Sequence, residues 1–344
     1  MRAYPQARPA RVVEQHRSGF IVAETMEMAE SVESLPEWQR APGYRKGTSP
    51  MEERAAVGDW VLIEGEHPKG RIVDLLPRRT AIKRGAAGEH YKQQVIAANV
   101  DVVFVVVGLD GDFNARRIER YLLLVAGSGA KAVVVLTKAD LADNVPASIE
   151  ELMALDAQDV TVRTVNARDP ESVATLHPFI PAGVTAVLVG SSGAGKSTLT
   201  NTLLGTERMK TGAVRERDAK GRHTTTHRAL IPLPTGACLI DTPGMRELKP
   251  TGEEHIDDSF LDVEALAGAC RFSDCAHASE PGCAVVAAIQ SGALDRARYA
   301  HYLKLRDEVA GAADKLAVRM AQLAQPRGTG RPTAKRGDGR PGKR

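Results

Sequence analysis

Short aliphatic and β-branched runs, each closed by glycine, proline or charged residues, punctuate the middle of the chain. Ala132 to Leu136 (AVVVL), Thr185 to Val189 (TAVLV) and Ala237 to Ile240 (ACLI) are continuously apolar rather than alternating, which predicts strands buried on both faces of a parallel sheet. Val160 to Val165 predicts a further strand, and Ser197 to Leu204 (STLTNTLL) a helix that follows a glycine-rich turn. The region from Arg8 to Arg84 has a different rhythm. Its runs, Arg11 to Glu14, Gly19 to Ala23, Asp59 to Ile63 and Arg71 to Leu75, are broken by Gly, Pro and charged turns with no long amphipathic helix, which predicts a small antiparallel barrel.

The turn between the Thr185 strand and the Ser197 helix reads GSSGAGKS, a full match to G-x4-G-K-S. Gly190, Gly193 and Gly195 let the backbone curl so that successive N–H groups converge on a β-phosphate, with Ser191, Ser192 and Ala194 between them. Lys196 then reaches the β and γ oxygens and Ser197 offers a hydroxyl to Mg2+. Thr198 continues a helix whose positive N-terminus faces the anion.

Behind the Ala237 strand comes Asp241-Thr242-Pro243-Gly244, a D-x-x-G that would set Asp241 near the metal through water and the Gly244 N–H at the γ-phosphate. Lys210 to Arg228 is polar and basic and contains GRHTTTHR. This segment reads as a switch whose Thr225 completes the Mg2+ shell. Met245 follows the D-x-x-G glycine, and a thioether cannot orient an attacking water. His223 or His227 is the available substitute.

TKAD, Thr137 to Asp140, ends the Ala132 strand. Asp140 can accept two hydrogen bonds from guanine N1 and N2, a donor pair that adenine lacks. Leaving a buried carboxylate unpaired costs ~1–3 kcal/mol or more, so the discrimination is steep. Lys138 would lay its methylene stem over the base. Thr137 stands where most GTPases have Asn, whose amide ties this motif to the phosphate loop; a hydroxyl can replace part of that bonding. Asn166 and Ala167 end the next strand, which places the Ala167 N–H to meet guanine O6. In an ordinary GTPase the phosphate loop comes first, whereas here the base-reading half precedes it. The same parallel sheet must have been opened between different strands, so the order implies a circularly permuted GTP-binding fold.

Cys270, Cys275, His277 and Cys283, spaced C-x4-C-x-H-x5-C, gather three of the four cysteines and a histidine into fourteen residues. That ligand set suits tetrahedral Zn2+ in a closed structural site. No signal-peptide pattern opens the sequence, so reduced thiols and a cytoplasmic location are expected, and disulfide pairing would leave one clustered cysteine over. Cys238 is expected to be a small core residue.

At 344 residues and 43% hydrophobic, the chain has room for two or three domains with real cores. No apolar stretch approaches the ~20 residues a membrane helix needs, so no membrane partner is expected. The net charge of +3 is uneven, since Pro326 to Arg344 carries seven Lys or Arg against one Asp and leaves the rest net acidic. Such a Gly- and Pro-rich cationic arm is expected to be disordered and suits an RNA backbone. Arg71, Arg78, Arg79, Lys83 and Arg84 would give the N-terminal barrel an oligonucleotide-type face. Aromatics at 4% favour phosphate or shape recognition over base stacking.

The permuted motif order, AVGDWV at Ala56 to Val61, LPRR at Leu76 to Arg79, GRHTTT, DTPG and the CRFSDCAHASEPGCAV block at Cys270 to Val285 together closely resemble the ribosome small-subunit-dependent GTPase family. The resemblance implies a multidomain α/β protein. Its parts would be an OB-fold barrel at 1–88, a circularly permuted P-loop GTPase domain at 89–248, an α-helical zinc-binding domain at 249–325 and a basic tail at 326–344. It also implies binding of GTP or GDP and of the small ribosomal subunit with its rRNA, subunit-stimulated hydrolysis as a late maturation checkpoint, and a part for His223 in hydrolysis. A monomer is expected. Thr137 and Asn166 depart from the family pattern, and the tail is an addition to it. Two other classes stay open: a nucleotide-regulated RNA-binding scaffold with negligible turnover, which Met245 favours, and a metabolic P-loop kinase, against which Asp140 argues.

Overall fold

The computed structural model describes residues 4–16, 19–25, 28–39, 51–86, 92–110, 113–142, 144–153, 160–206, 228–241, 250–254 and 256–324. At the N-terminus β1 (Arg8–Gln15), β2 (Phe20–Ala23), β3 (Ala29–Val32), β4 (Trp60–Glu64) and β5 (Arg71–Leu75) lie in the order β3-β2-β1-β4-β5, every ladder antiparallel. A parallel bridge between Glu33 and Arg71 brings the two ends of this array together. A register shift between Val12 and Glu14 lets the long β1 serve both neighbours, pairing β4 through Arg8 to Arg11 and β2 from Arg11 onward. Alternate residues point inward, so Ala10, Val12, Val22, Val61, Ile63 and Ile72 form one core, closed by Trp38 of the short helix α1 (Pro36–Gln39).

The structure removes Arg78 from the expected basic face. Its guanidinium grips both carboxylate oxygens of the fully buried Asp59, at 2.8 and 2.7 Å, and the carbonyls of Glu52 and Arg54, so it is an internal strut.

A hairpin, β6 (Ala81–Ala86) and β7 (Lys92–Ala98), leads into the central sheet. That sheet is built from β8 (Val102–Gly108), β9 (Lys131–Thr137), β10 (Thr161–Thr164), β11 (Thr185–Val189), β12 (Arg228–Pro232) and β13 (Cys238–Asp241) in the order β10-β9-β8-β11-β13-β12. All ladders are parallel except that of β12 with β13. Strand period two sorts the side chains. Val103, Val105, Val107, Val134 and Val187 face α2 (Ala115–Ala126) and α3 (Val145–Met153), whereas Val102, Phe104, Val106, Val135 and Leu188 face α4 (Pro170–Ala174) and α5 (Lys196–Leu204). Both faces are covered, which is why β8, β9 and β11 read as continuous apolar runs. The edge strand β12 then pairs antiparallel with β1 through Glu14–Ala229 and Gln15–Arg228, so barrel and central sheet share one ladder.

Beyond the sheet, α6 (Leu261–Gly268), α7 (Ala284–Ser291) and the 29-residue α8 (Arg296–Ala324) pack around Phe260, Val263, Val285, Tyr299, Tyr302 and Leu305. Leu123 of α2 enters the same core and docks this helical module on the central domain. No helix among the described residues is long and apolar enough to cross a membrane.

Candidate functional site

The phosphate loop leaves β11 at Gly190. A Cβ there would lie 2.1 Å from the Val106 carbonyl oxygen, so the position admits only glycine. Gly190, Gly193 and Gly195 all have positive φ, 142°, 86° and 89°, and together they curl Ser191, Ser192 and Ala194 into a concave turn before Lys196, Ser197 and Thr198 open α5. The Lys196 ammonium donates to the carbonyls of Gly190, at 2.8 Å, and Ser191, so it sits over the mouth of the loop. A helix N-terminus, a curled run of amides and a fixed ammonium make one cationic cradle for a polyphosphate.

Parallel pairing of β8 with β9 and of β8 with β11 brings the end of β9 beside this cradle. Thr137 is fully buried, and its hydroxyl donates to the Ala194 carbonyl at 2.6 Å. The hydroxyl thus makes the tie to this loop in which it is expected to stand in for part of an Asn amide's bonding. Lys138 adopts a left-handed turn, φ 59°, that bends the chain out of the strand, and its ammonium is ion-paired with Asp110 beyond the end of β8. Asp140 follows on a short 3-10 turn; it is exposed and carries no hydrogen bond or ion pair among the described residues, so both lone-pair faces are open to a ligand. On the neighbouring loop the Asn166 N–H donates to Ser172 Oγ, and the Asn166 side chain accepts from the Arg168 N–H. Thr202 Oγ1 of α5 donates to the Ala167 carbonyl at 2.6 Å, which fastens that loop to the phosphate-loop helix. Asp241 closes β13 alongside β11.

The second cluster lies in the helical module. One ligand atom from each of Cys270, Cys275, His277 and Cys283 falls within 4.8 Å of the others. Cys270 Sγ and Cys283 Sγ each stand 3.5 Å from His277 Nδ1 and 3.9 Å from one another. His277 reaches the cluster through a left-handed backbone, φ 57°. Desolvation raises the Cys270 thiol, but the N–H groups of Val285 and Ala284, together with the Cys283 and Cys275 thiols, hold the group below its ordinary value. Cys283 also caps α7, its sulfur accepting from the Val286 N–H at 3.4 Å. Four converging donors of this kind can hold a metal ion.

The sequence profile of the RsgA GTPase family matches residues 75–251, which contain every nucleotide motif above. The chain belongs to the RsgA GTPase family. It is accordingly a GTPase, and its motif order is that of a circular permutant. It is 67% identical over 330 residues to the small ribosomal subunit biogenesis GTPase RsgA of Xanthomonas axonopodis pv. citri, covering 96% of this chain and 88% of that protein. The protein of the same name from Xanthomonas campestris pv. campestris is 66% identical over 343 residues, covering 99% and 91%. In fold the chain is similar to YjeQ from Thermotoga maritima, with a TM-score of 0.61, 23% identity and coverage of 89% and 99%. It is also similar to YloQ, described as a circularly permuted GTPase, with a TM-score of 0.56, 20% identity and coverage of 92% and 98%.

Several expected site residues of this RsgA-family GTPase, His223, Thr225, Gly244 and the neighbouring Met245 and His227, lie outside the described residues, as does the tail. Sequence reasoning passed over β8 and Asp110. The signal was present as VVFVVVG, a seven-residue apolar run with an acid two residues past its end.

Proposed function

We propose that this RsgA-family GTPase binds the small ribosomal subunit and uses GTP hydrolysis to time its own release from it. The observation that carries the nucleotide half of this reading is the Thr137–Ala194 hydrogen bond, which joins the base-reading turn to the phosphate loop. Guanine fits between Asp140 and the Ala167 N–H, which has no acceptor among the described residues. Lys138 lines one face of the base. Gly190 to Thr198 hold the phosphates, and Ser197, Asp241 and Thr225 would hold Mg2+, which offsets phosphate charge. His223 orients the water in place of the glutamine that Met245 replaces.

The N-terminal strand order, with its parallel closure through Glu33 and Arg71, supports an OB-type barrel that meets RNA. We read 1–88 as that barrel, 89–248 as the GTPase domain, 249–325 as the helical domain and 326–344 as a basic arm. The metal is Zn2+: at bond lengths of about 2.3 Å to sulfur and 2.0 Å to nitrogen, a tetrahedron has edges of about 3.8 Å between sulfurs and about 3.5 Å from sulfur to nitrogen. The separations of 3.9 and 3.5 Å match those edges. Zn2+ there ties the loop between α6 and α7 and takes no part in the reaction. The protein acts as a cytoplasmic monomer.

Phosphate release from GTP and ATP, with and without purified small subunits, tests this reading. Slow GTP turnover that rises sharply with subunits is expected. Subunit binding without stimulation would make the protein a scaffold, and equal use of ATP would overturn the guanine site.

A further inference from the structure

Of the five bases expected to form the basic face, four have carboxylate partners: Arg71 with Glu64, Arg78 with Asp59, Arg79 with Asp101 and Lys83 with Glu253. Arg84 has none. Its Nη2 reaches Gln94 Oε1 at 3.4 Å, across the ladder in which the two residues are register partners. Arg228, the first residue of β12, is in the same condition. Its Nη1 donates at 3.3 Å to Gln15 Oε1, its own register partner on β1, and at 3.4 Å to the Val95 carbonyl. Gln94 and Val95 are consecutive on β7, so both guanidiniums converge on one stretch of that strand. Burial and then the charge of Arg84 push Arg228 below its ordinary value.

A partly buried guanidinium is normally matched by a carboxylate, and breaking such a match is costly. Among the described residues, two guanidiniums here share a joint with long contacts to neutral oxygens alone. Arg228 leaves Nε and Nη2, and Arg84 leaves Nε and Nη1, without acceptors among the described residues. Open planar donors of this kind suit an oxyanion such as a carboxylate or a phosphate, whose geometry the guanidinium fork matches. We propose that Arg84 and Arg228 form a seat for an RNA phosphodiester where β1, the β6–β7 hairpin and β12 meet. The choice of RNA over a free phosphate rests on the proposed function and on the exposed bases Arg71 and Arg79 of the same segment. Arg228 is also the last residue of GRHTTTHR, so an occupied seat fixes the chain next to the motif expected to handle the water.

Arg84→Gln and Arg228→Gln, each in the full chain saturated with GDP so that the phosphate loop is filled, test the seat. Melting is followed in potassium chloride and in potassium phosphate at equal low ionic strength. Binding to purified small subunits is then measured against salt with a non-hydrolysable GTP analogue. Wild type should melt higher in phosphate. Arg84→Gln should melt at or above wild type in chloride, because a like-charge repulsion is gone, and should lose the phosphate increment. Its slope of log affinity against log salt should fall by about one. A variant that melts lower in chloride and keeps the phosphate increment would overturn the seat, and a lost increment with an unchanged slope would overturn RNA as its occupant. Failure of wild type to bind small subunits would count against the proposed function instead, while the melting series still decides the seat.

Discussion

The hydroxyl of Thr137 donates to the Ala194 carbonyl at 2.6 Å, so the end of β9, proposed to read the base, is bonded to the glycine-rich loop proposed to hold the phosphates. A Cβ on Gly195 would come within 3.3 Å of the same hydroxyl, which shows how closely the two segments approach. Thr137→Val keeps the shape and removes the donor, leaving a buried carbonyl unsatisfied. A loss of about 1–3 kcal/mol in stability is expected, with weaker binding of GDP and GTP alike. Thr137→Ser should recover most of both. Urea unfolding and nucleotide titration check this, and equal behaviour of the Val and Ser variants would show that the hydroxyl is irrelevant.

Lys138 is held by Asp110, and its Cδ and Cε lie 3.3 Å from the place a Gly108 Cβ would occupy, so the stem is stretched along the end of β8. A stem anchored in this way is preorganised as a shelf for a purine. Asp110→Ala should therefore weaken GDP and GTP equally and leave kcat unchanged. In a Lys138→Met background, which has no ammonium to anchor, the same substitution should add nothing. A full additional loss in that background would show that Asp110 acts by another route.

Much of this site was legible in the sequence because its chemistry is concentrated in short motifs on continuous apolar strands. The Gly190, Gly193 and Gly195 spacing specified a backbone curl, and the structure has all three at positive φ. The Cys270 to Cys283 spacing specified a cluster, and the four donors meet. What the sequence hid was partnership at long range. Arg78 looked like its neighbours, and only the fold shows it committed to Asp59 while Arg84 has no acid beside it among the described residues. Thr137 looked like a weakened asparagine because the separation from Ala194 is set by the packing of β8, β9 and β11, which no local pattern encodes. The ladder between β1 and β12 was equally invisible, since it pairs residues more than two hundred positions apart.

Cys283 has two duties, as a member of the Cys/His cluster that can hold a metal and as the sulfur that caps α7. Chelation should remove one metal ion per chain and loosen α6 and α7, whose shared core includes Cys283, Val285 and Val263. Cys275→Ser should lower metal content and melting temperature while preserving GDP affinity, because the phosphate loop belongs to a separate core. Metal analysis with GDP titration decides the matter. A parallel loss of nucleotide binding would mean that the helical module supports the GTPase domain directly.

Arg298 of α8 is one of several polar links between that module and the central domain, beside Arg116–Asp295, Arg120–Glu308 and the close approach of His301 to Glu119. It donates to Glu119 of α2 at 2.7 Å and to both oxygens of Asp262, at 2.5 and 2.7 Å, with its guanidinium 4.9 Å from the centre of the Phe260 ring. Glu119 is 3% exposed, and burial raises its carboxyl above the ordinary value despite Arg298. Arg298→Met keeps much of the packing against Phe260 but takes the guanidinium from that carboxylate and leaves it facing the His301 ring, whose Nε2 is 3.3 Å away, which should destabilise the protein by about 3–5 kcal/mol. Glu119→Gln in the same chain should recover a large part. The deficit should also depend on pH with a definite sign. In the variant the folded protein holds the Glu119 proton more tightly than the unfolded chain does, so stability rises as pH falls toward the folded value. Urea unfolding at about pH 5 and about pH 8 should therefore give a smaller deficit at the lower pH. An equal deficit at both would place the loss in the packing of Phe260 rather than in the stranded charge.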